Sequence, residues 1–185
     1  VEESAGDCRS PYAESKFQSE KDLLSLMSRE TQVHILRFFN VYGPGQDANS
    51  NYAAVIPSFI QRITSGQSPT IFGDGSQSRD FIAVSDVVNL ITQILSNHNN
   101  PQNGVYNVAT QTETSVNELL RIITTSISEI DNTIEIPEIR YEEKRLGDIT
   151  SSCADISKVV NSFGWSPKID LAQGIKSLVE FELRG

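Results

Sequence analysis

Long apolar runs, histidine, cysteine and positive charge are all scarce in this sequence. No stretch approaches the roughly 18 consecutive apolar residues of a membrane span, so no membrane partner is expected. The two histidines, His34 and His98, are far apart, and Cys8 and Cys153 have no metal-ligand spacing. That argues against a zinc site, and sparse, unspaced cysteine fits a reducing, cytoplasmic setting. Lysine and arginine number 15 against 24 acidic residues, a formal net charge of −9. A general nucleic-acid-binding face is therefore not expected. A small anionic ligand needs only two or three local arginines and stays open. The start, Val1-Glu2-Glu3, is acidic and polar and does not read as a secretory leader. It has no Met, and the first recognisable motif falls near residue 10, so a preceding N-terminal portion is expected.

What is present reads as a globular α/β chain. Its 185 residues are 38% hydrophobic and 21% charged, and a chain of that size buries on the order of 70% of its unfolded surface. Ser10 and Pro11 predict the cap and first turn of a helix running to Met27. Val33 to Val41 reads as one buried strand, broken by Tyr42-Gly43-Pro44-Gly45. Ala53 to Thr64 has helical spacing, and Thr70-Ile71-Phe72 is a short strand before the turn Gly73-Asp74-Gly75. Arg79 to Val84 reads as extended, and Ser85 as the cap of the next helix. A strand is expected over Gly104 to Val108, and a capping box at Ser115 and Glu118. Ile134 to Tyr141 reads as extended, Asp155 to Phe163 as a short helix stopped by Gly164. Asp170 and Gln173 open a last helix. His34 and Trp165 read as packed side chains and the cysteines as inert.

Tyr12 and Lys16 stand four apart on the first helix and so share a face. A neighbouring ammonium favours a phenolate, and a Tyr poised in this way can take a proton from a sugar hydroxyl. Spacing alone is a weak signal, because Tyr and Lys four apart are commonly plain surface neighbours.

The context is more specific. S-P-Y-A-E-S-K (Ser10 to Lys16) is followed by R-F-F-N-V-Y-G-P-G (Arg37 to Gly45) and I-F-G-D-G-S-Q-S-R-D-F-I-A-V-S-D-V (Ile71 to Val87). Then come R-L-G-D (Arg145 to Asp148), A-D-I-S-K (Ala154 to Lys158) and G-W-S-P (Gly164 to Pro167). In content and order these segments resemble the extended short-chain dehydrogenases/reductases, the NAD-dependent epimerases and dehydratases of nucleotide sugars. Gln46 to Pro57 looks most like the 4-epimerases of UDP-glucose and UDP-N-acetylglucosamine. The resemblance implies a partial Rossmann-type core plus a smaller α/β sugar-nucleotide-binding lobe. Residues 1–45 would be the remnant of the NAD-binding core. Residues 46–185 would be mainly the lobe, with about 79–108 returning to the core.

The resemblance also implies roles. Tyr12 would be the general acid/base, and Lys16 would hold the nicotinamide ribose and tune Tyr12. Phe38 would also lie on the cofactor side. Asn40 would bond the diphosphate or sugar, and the backbone at Val55 and the ring of Phe72 would line the uracil pocket. Arg79 and Arg145 would pair with the diphosphate, and Asp148 would accept from the ribose. Without the resemblance, Arg79 and Arg145 also suit surface ion pairs, Phe72 a core position, Asp148 a turn cap, and Asn40 a strand end.

Two features of the resembled family have no counterpart in this sequence. One is the Gly-rich G-x-x-G-x-x-G turn that seats the cofactor pyrophosphate. The other is a catalytic Ser/Thr about two dozen residues before the Tyr. The expectation is the C-terminal part of a UDP-hexose or UDP-N-acetylhexosamine 4-epimerase, inactive as this chain alone. An assay with NAD and UDP-sugar that shows no turnover is the expected result. A UDP-sugar or dTDP-sugar partner and a homodimer are expected with it. A dehydratase or decarboxylase on the same scaffold, or a non-catalytic sugar-nucleotide-binding module, are the alternatives. Dehydratases commonly carry an acidic pair just before the Tyr, where this chain has Ser10 and Pro11.

Overall fold

The structure is a computed structural model that describes residue 2 and residues 11–28, 31–47, 54–96, 103–145 and 147–184. The first part runs α1 (Pro11–Ser25), β1 (His34–Phe38), β2 (Asn40–Tyr42), α2 (Val55–Thr64), β3 (Thr70–Phe72), β4 (Ser78–Arg79) and β5 (Phe81–Ala83). It continues with α3 (Val84–Ser96), β6 (Gly104–Val108), β7 (Thr114–Ser115), α4 (Val116–Ile130), β8 (Arg140–Glu142), α5 (Ser157–Phe163) and α6 (Leu171–Arg184). Helices and strands alternate, and three of the four strand pairs are parallel: β1 with β6, β2 with β5, β3 with β8. Only β4 and β7 run antiparallel.

The strand expected over Val33 to Val41 is two strands. Phe39 still donates its N–H to Val108 O of β6 at 3.2 Å, while Asn40 donates to Asp80 O at 3.1 Å. The chain therefore changes partner at Phe39, leaving β6 and joining β5. Asn40 stands at that point.

Two apolar clusters form around these strands. One gathers α2, α4 and α6, with Ile56, Ile63, Leu119, Ile123 and Ile175 fully buried. The other gathers β6, α3 and α5, with Leu90, Tyr106, Val108 and Val159 fully buried. Trp165 is buried in the second cluster, and the His34 ring meets Phe163 edge-on at 5.7 Å. By contrast α1 buries no residue and is tied to β1 by a bidentate pair from Arg37 to Glu20 at 2.6 and 2.8 Å.

Several expected boundaries move. The first helix ends at Ser25 instead of Met27, and its expected cap, Ser10, lies outside the described residues, as does Ala53. The extended piece from Arg79 is interrupted at Asp80, and α3 already begins at Val84, so Ser85 sits inside the first turn. The carboxylate of Asp86 instead accepts the amides of Lys168 and Ile169 at 3.0–3.2 Å. Of the extended piece from Ile134, only Arg140–Glu142 pairs as a strand. The short helix begins at Ser157, two residues after Asp155, and does stop at Gly164, whose φ of 63° suits a residue without a Cβ.

Candidate functional site

A cavity of about 270 Å³ opens at Asn40, next to the point where the chain changes strand partner. Its apolar floor is Phe59, Ile71 and Phe81, from α2, β3 and β5. Its polar rim brings together Asn40, Arg79, Arg145 and Asp148, with Val55 and Phe72 beside them. All six residues that the motifs single out for substrate thus line one space, although they span more than a hundred positions of sequence.

The rim is organised by charge. The Arg79 guanidinium donates to Asp148 Oδ1 at 2.6 Å, to Ile149 O at 2.6 Å and to Ser78 O at 2.7 Å. Arg79 and Asp148 are each about one-fifth exposed, so the pair faces the cavity without being sealed from water. The Arg145 guanidinium lies over the Phe72 ring, 3.8 Å from its centroid. A cation held against an aromatic face keeps its charge and stays exchangeable, because the contact is worth only about 0.5–2 kcal/mol. Gln77 Nε2 donates to Phe72 O at 2.8 Å and fixes the backbone under that ring. Asn40 Nδ2 donates to Asp80 O at 3.0 Å.

Asp80 is the hub behind the rim and is fully buried. Its Oδ1 accepts from the amide and hydroxyl of Thr110 at 2.8 and 2.7 Å. Its Oδ2 accepts from the amides of Gln111 and Ala154 at 2.9 and 3.3 Å. A buried carboxylate is tolerated when its lone pairs are all met in this way. Gln111 takes a left-handed φ of 59°, the local conformation from which its amide reaches Asp80. Nearby, burial, then the carboxylates of Asp80 and Glu113, push the Cys153 thiol up from its ordinary value. It stays a thiol at neutral pH.

Tyr12, Lys16 and Phe38 are not part of this cavity. Tyr12 is 72% exposed on α1, with Lys16 Nζ 5.5 Å from its ring centroid. Phe38 is exposed at the end of β1. The motifs do not single out Gln77, Asp80 or Glu113. Asp80 carries a signal, a charge set directly before the apolar Phe81-Ile82-Ala83. Glu113 stands in the uniformly polar run Thr110 to Ser115 and carries none. Among the described residues, no group of three or more His, Cys, Asp or Glu is placed to hold a metal ion, and no helix is long and apolar enough to cross a membrane.

Comparison with known proteins gives three kinds of likeness. The profile of the NAD dependent epimerase/dehydratase family matches residues 2–109. A putative UDP-glucose 4-epimerase of Methanocaldococcus jannaschii is 40% identical over 174 residues, covering 93% of this chain and 53% of that protein. The structure of a UDP-N-acetylglucosamine 4-epimerase from Methanobrevibacter ruminantium, in complex with UDP-N-acetylmuramic acid, superposes with a TM-score of 0.84 at 38% identity. The match covers 95% of this chain and 54% of that one. The UDP-glucose 4-epimerase of Thermotoga maritima with UDP-glucose gives a TM-score of 0.82 at 33% identity, again over 95% and 54%. The chain thus spans about half the length of these relatives.

Proposed function

The chain belongs to the NAD-dependent epimerase/dehydratase family, and on that premise we propose that its cavity holds the nucleoside diphosphate of a UDP-hexose or UDP-N-acetylhexosamine acted on by a 4-epimerase. The observation that carries the reading is the convergence of two guanidiniums, the Phe72 ring and the Asp148 carboxylate in a single space. A diphosphate carries about two negative charges and is met by guanidinium forks. The base stacks on Phe72, the ribose hydroxyls donate to Asp148, and Asn40 reaches the diphosphate or sugar. A volume of about 270 Å³ lies near the small end of ligand pockets, about 300–1,000 Å³, and suits the nucleotide portion better than a whole nucleotide sugar. A dTDP-sugar shares the diphosphate, adds a methyl on the base and lacks the ribose 2′-hydroxyl, so only its 3′-hydroxyl is left to donate to Asp148.

The cofactor belongs to the same reading. Tyr12, Lys16 and Phe38 fit the nicotinamide end of NAD, with phenol and ammonium on one helix face and an exposed ring two residues before Asn40. The sequence carries no G-x-x-G-x-x-G turn of the kind that seats the pyrophosphate. When bound, NAD supplies reversible hydride transfer at the sugar carbon. Tyr12 Oη takes the proton of the sugar hydroxyl and later returns it, while Lys16 holds the ribose. A homodimer through the exposed α1 and a cytoplasmic setting complete the proposal.

Isothermal titration of the chain with UDP and UDP-glucose tests it. Saturable binding is expected, weakened about tenfold or more in Arg79→Ala and in Arg145→Ala, since each removes a charge-assisted contact. Absence of binding by the unsubstituted chain would overturn the reading.

A further inference from the structure

We propose that Glu113 is a positioning residue of the cavity: it clips the segment 148–152 against β4 and so fixes where Arg79 and Asp148 stand. The proposal rests on the reading that the cavity takes a nucleoside diphosphate.

The segment after Arg145 supplies two of the three acceptors that hold the Arg79 guanidinium, the Asp148 carboxylate and the Ile149 carbonyl. Yet 148–152 belongs to no helix or strand. Its backbone pairs with that of β4 at Ser78: Ser78 N–H donates to Thr150 O at 2.9 Å, and Ser152 N–H donates to Ser78 O at 3.2 Å. Beyond these, the Arg79 side chain is what ties it to β4.

A further attachment comes from the other side of β4. There β7 runs antiparallel, with Ser78 opposite Ser115 and Arg79 opposite Thr114. That register sets Glu113 just beyond the Arg79 position. Its Oε1 accepts the Ser78 hydroxyl at 2.5 Å and also the Ser151 hydroxyl. One carboxylate oxygen thereby joins β4, the loop before β7 and the segment carrying Asp148. These hydroxyls, Ser151 first, hold the Glu113 carboxyl below the usual carboxylate range. Glu113 is exposed and does not line the cavity. Its influence on a ligand therefore runs through the segment it pins, not through contact.

The test uses the unsubstituted chain, Glu113→Ala, Glu113→Gln and Ser151→Ala, each titrated with UDP and followed by amide hydrogen exchange at Ser152. Glu113→Ala and Ser151→Ala are expected to weaken UDP about tenfold and to speed exchange at Ser152, on the scale of one lost charge-assisted hydrogen bond. Glu113→Gln keeps the Oε1 acceptor and is expected to bind UDP within about twofold of the unsubstituted chain. Unchanged UDP affinity in Glu113→Ala would overturn the proposal. So would equal losses in the Ala and Gln variants, which would make the effect one of charge. If the unsubstituted chain binds no UDP, the reading of the cavity fails while exchange still decides the clip: faster exchange at Ser152 in Glu113→Ala supports it, and unchanged exchange overturns it.

Discussion

Tyr42 shows how far a single side chain can be tuned by packing. It is buried to 3% exposure, and its hydroxyl finds no hydrogen-bond partner among the described residues. It abuts α6 at Gly174, where any Cβ would collide with it. Burial first, then the carboxylates of Asp86 and Asp170, drive its ionisation above the ordinary phenol range. An unmet buried hydroxyl costs about 1–3 kcal/mol, so Tyr42→Phe is expected to stabilise the chain by about 1 kcal/mol. Urea unfolding measures it, and a loss of stability would show that the hydroxyl is satisfied. The residue scale is also where the motifs are most and least informative. Arg79, Arg145 and Asp148 are legible because polar groups recur at fixed places in segments with a recognisable order. Asp80 leaves only the mark of a charge before an apolar run and Glu113 leaves none, because their work is done through hydroxyls and amides that arrive from about 30 to 74 positions away.

At the scale of elements, local signals were readable and pairing was not. The Ser115 hydroxyl accepts the Glu118 amide at 3.1 Å, as the spacing of the two residues implies. The other half of the expected box is missing, since the Glu118 carboxylate turns to Arg121 at 2.7 and 2.9 Å. Ser115→Ala is therefore expected to cost about 1 kcal/mol through the lost N-cap, with Glu118→Gln costing less, because an exposed pair three apart contributes only a few tenths. Thermal melts of the two variants give the comparison, and an equal loss in both would assign the cap to the carboxylate. The division of Val33 to Val41 into β1 and β2 was not legible. Nothing in that apolar run marks Phe39; the break is dictated by β5 and β6, which lie some 40 to 70 residues later. Likewise Gly164 reads as a stop from its own conformational freedom, whereas the start of α3 depends on Asp86 turning toward residues 168 and 169.

At the scale of the whole molecule, acid and association are the accessible variables. Asp74 accepts the Ser76 hydroxyl, Asp131 the Thr133 hydroxyl, Asp155 the Ser157 amide and Glu113 the Ser151 hydroxyl. Each is held below the usual carboxylate range by that bond. A depressed value in the folded state means the unfolded chain protonates first. Their contribution is thus complete above the ordinary carboxylate range, about pH 4–4.5, and is lost as pH falls through the lower folded values. Melting midpoints are expected to be flat from pH 7 to about 5 and to fall below it; a midpoint that rises on acidification would contradict this. The surface open to association is α1 with the turn that ends it: α1 buries nothing, and Leu23 and, just beyond Ser25, Leu26 and Met27 are 42–61% exposed. Light scattering is expected to show a dimer that Leu26→Lys weakens, and a monomer at all concentrations would remove α1 as an interface.

The pairing of Arg79 with Asp148 closes a loop of 69 positions. Closing such a loop costs entropy that no local contact repays, so its formation waits on the strands around it. Helix α4 carries its own cap and apolar stripe and can form early. The cavity, by contrast, exists only once distant parts of the chain have met. In refolding, then, helical signal should return before affinity does, and the chain should pass through a stage that is structured yet blind to its ligand.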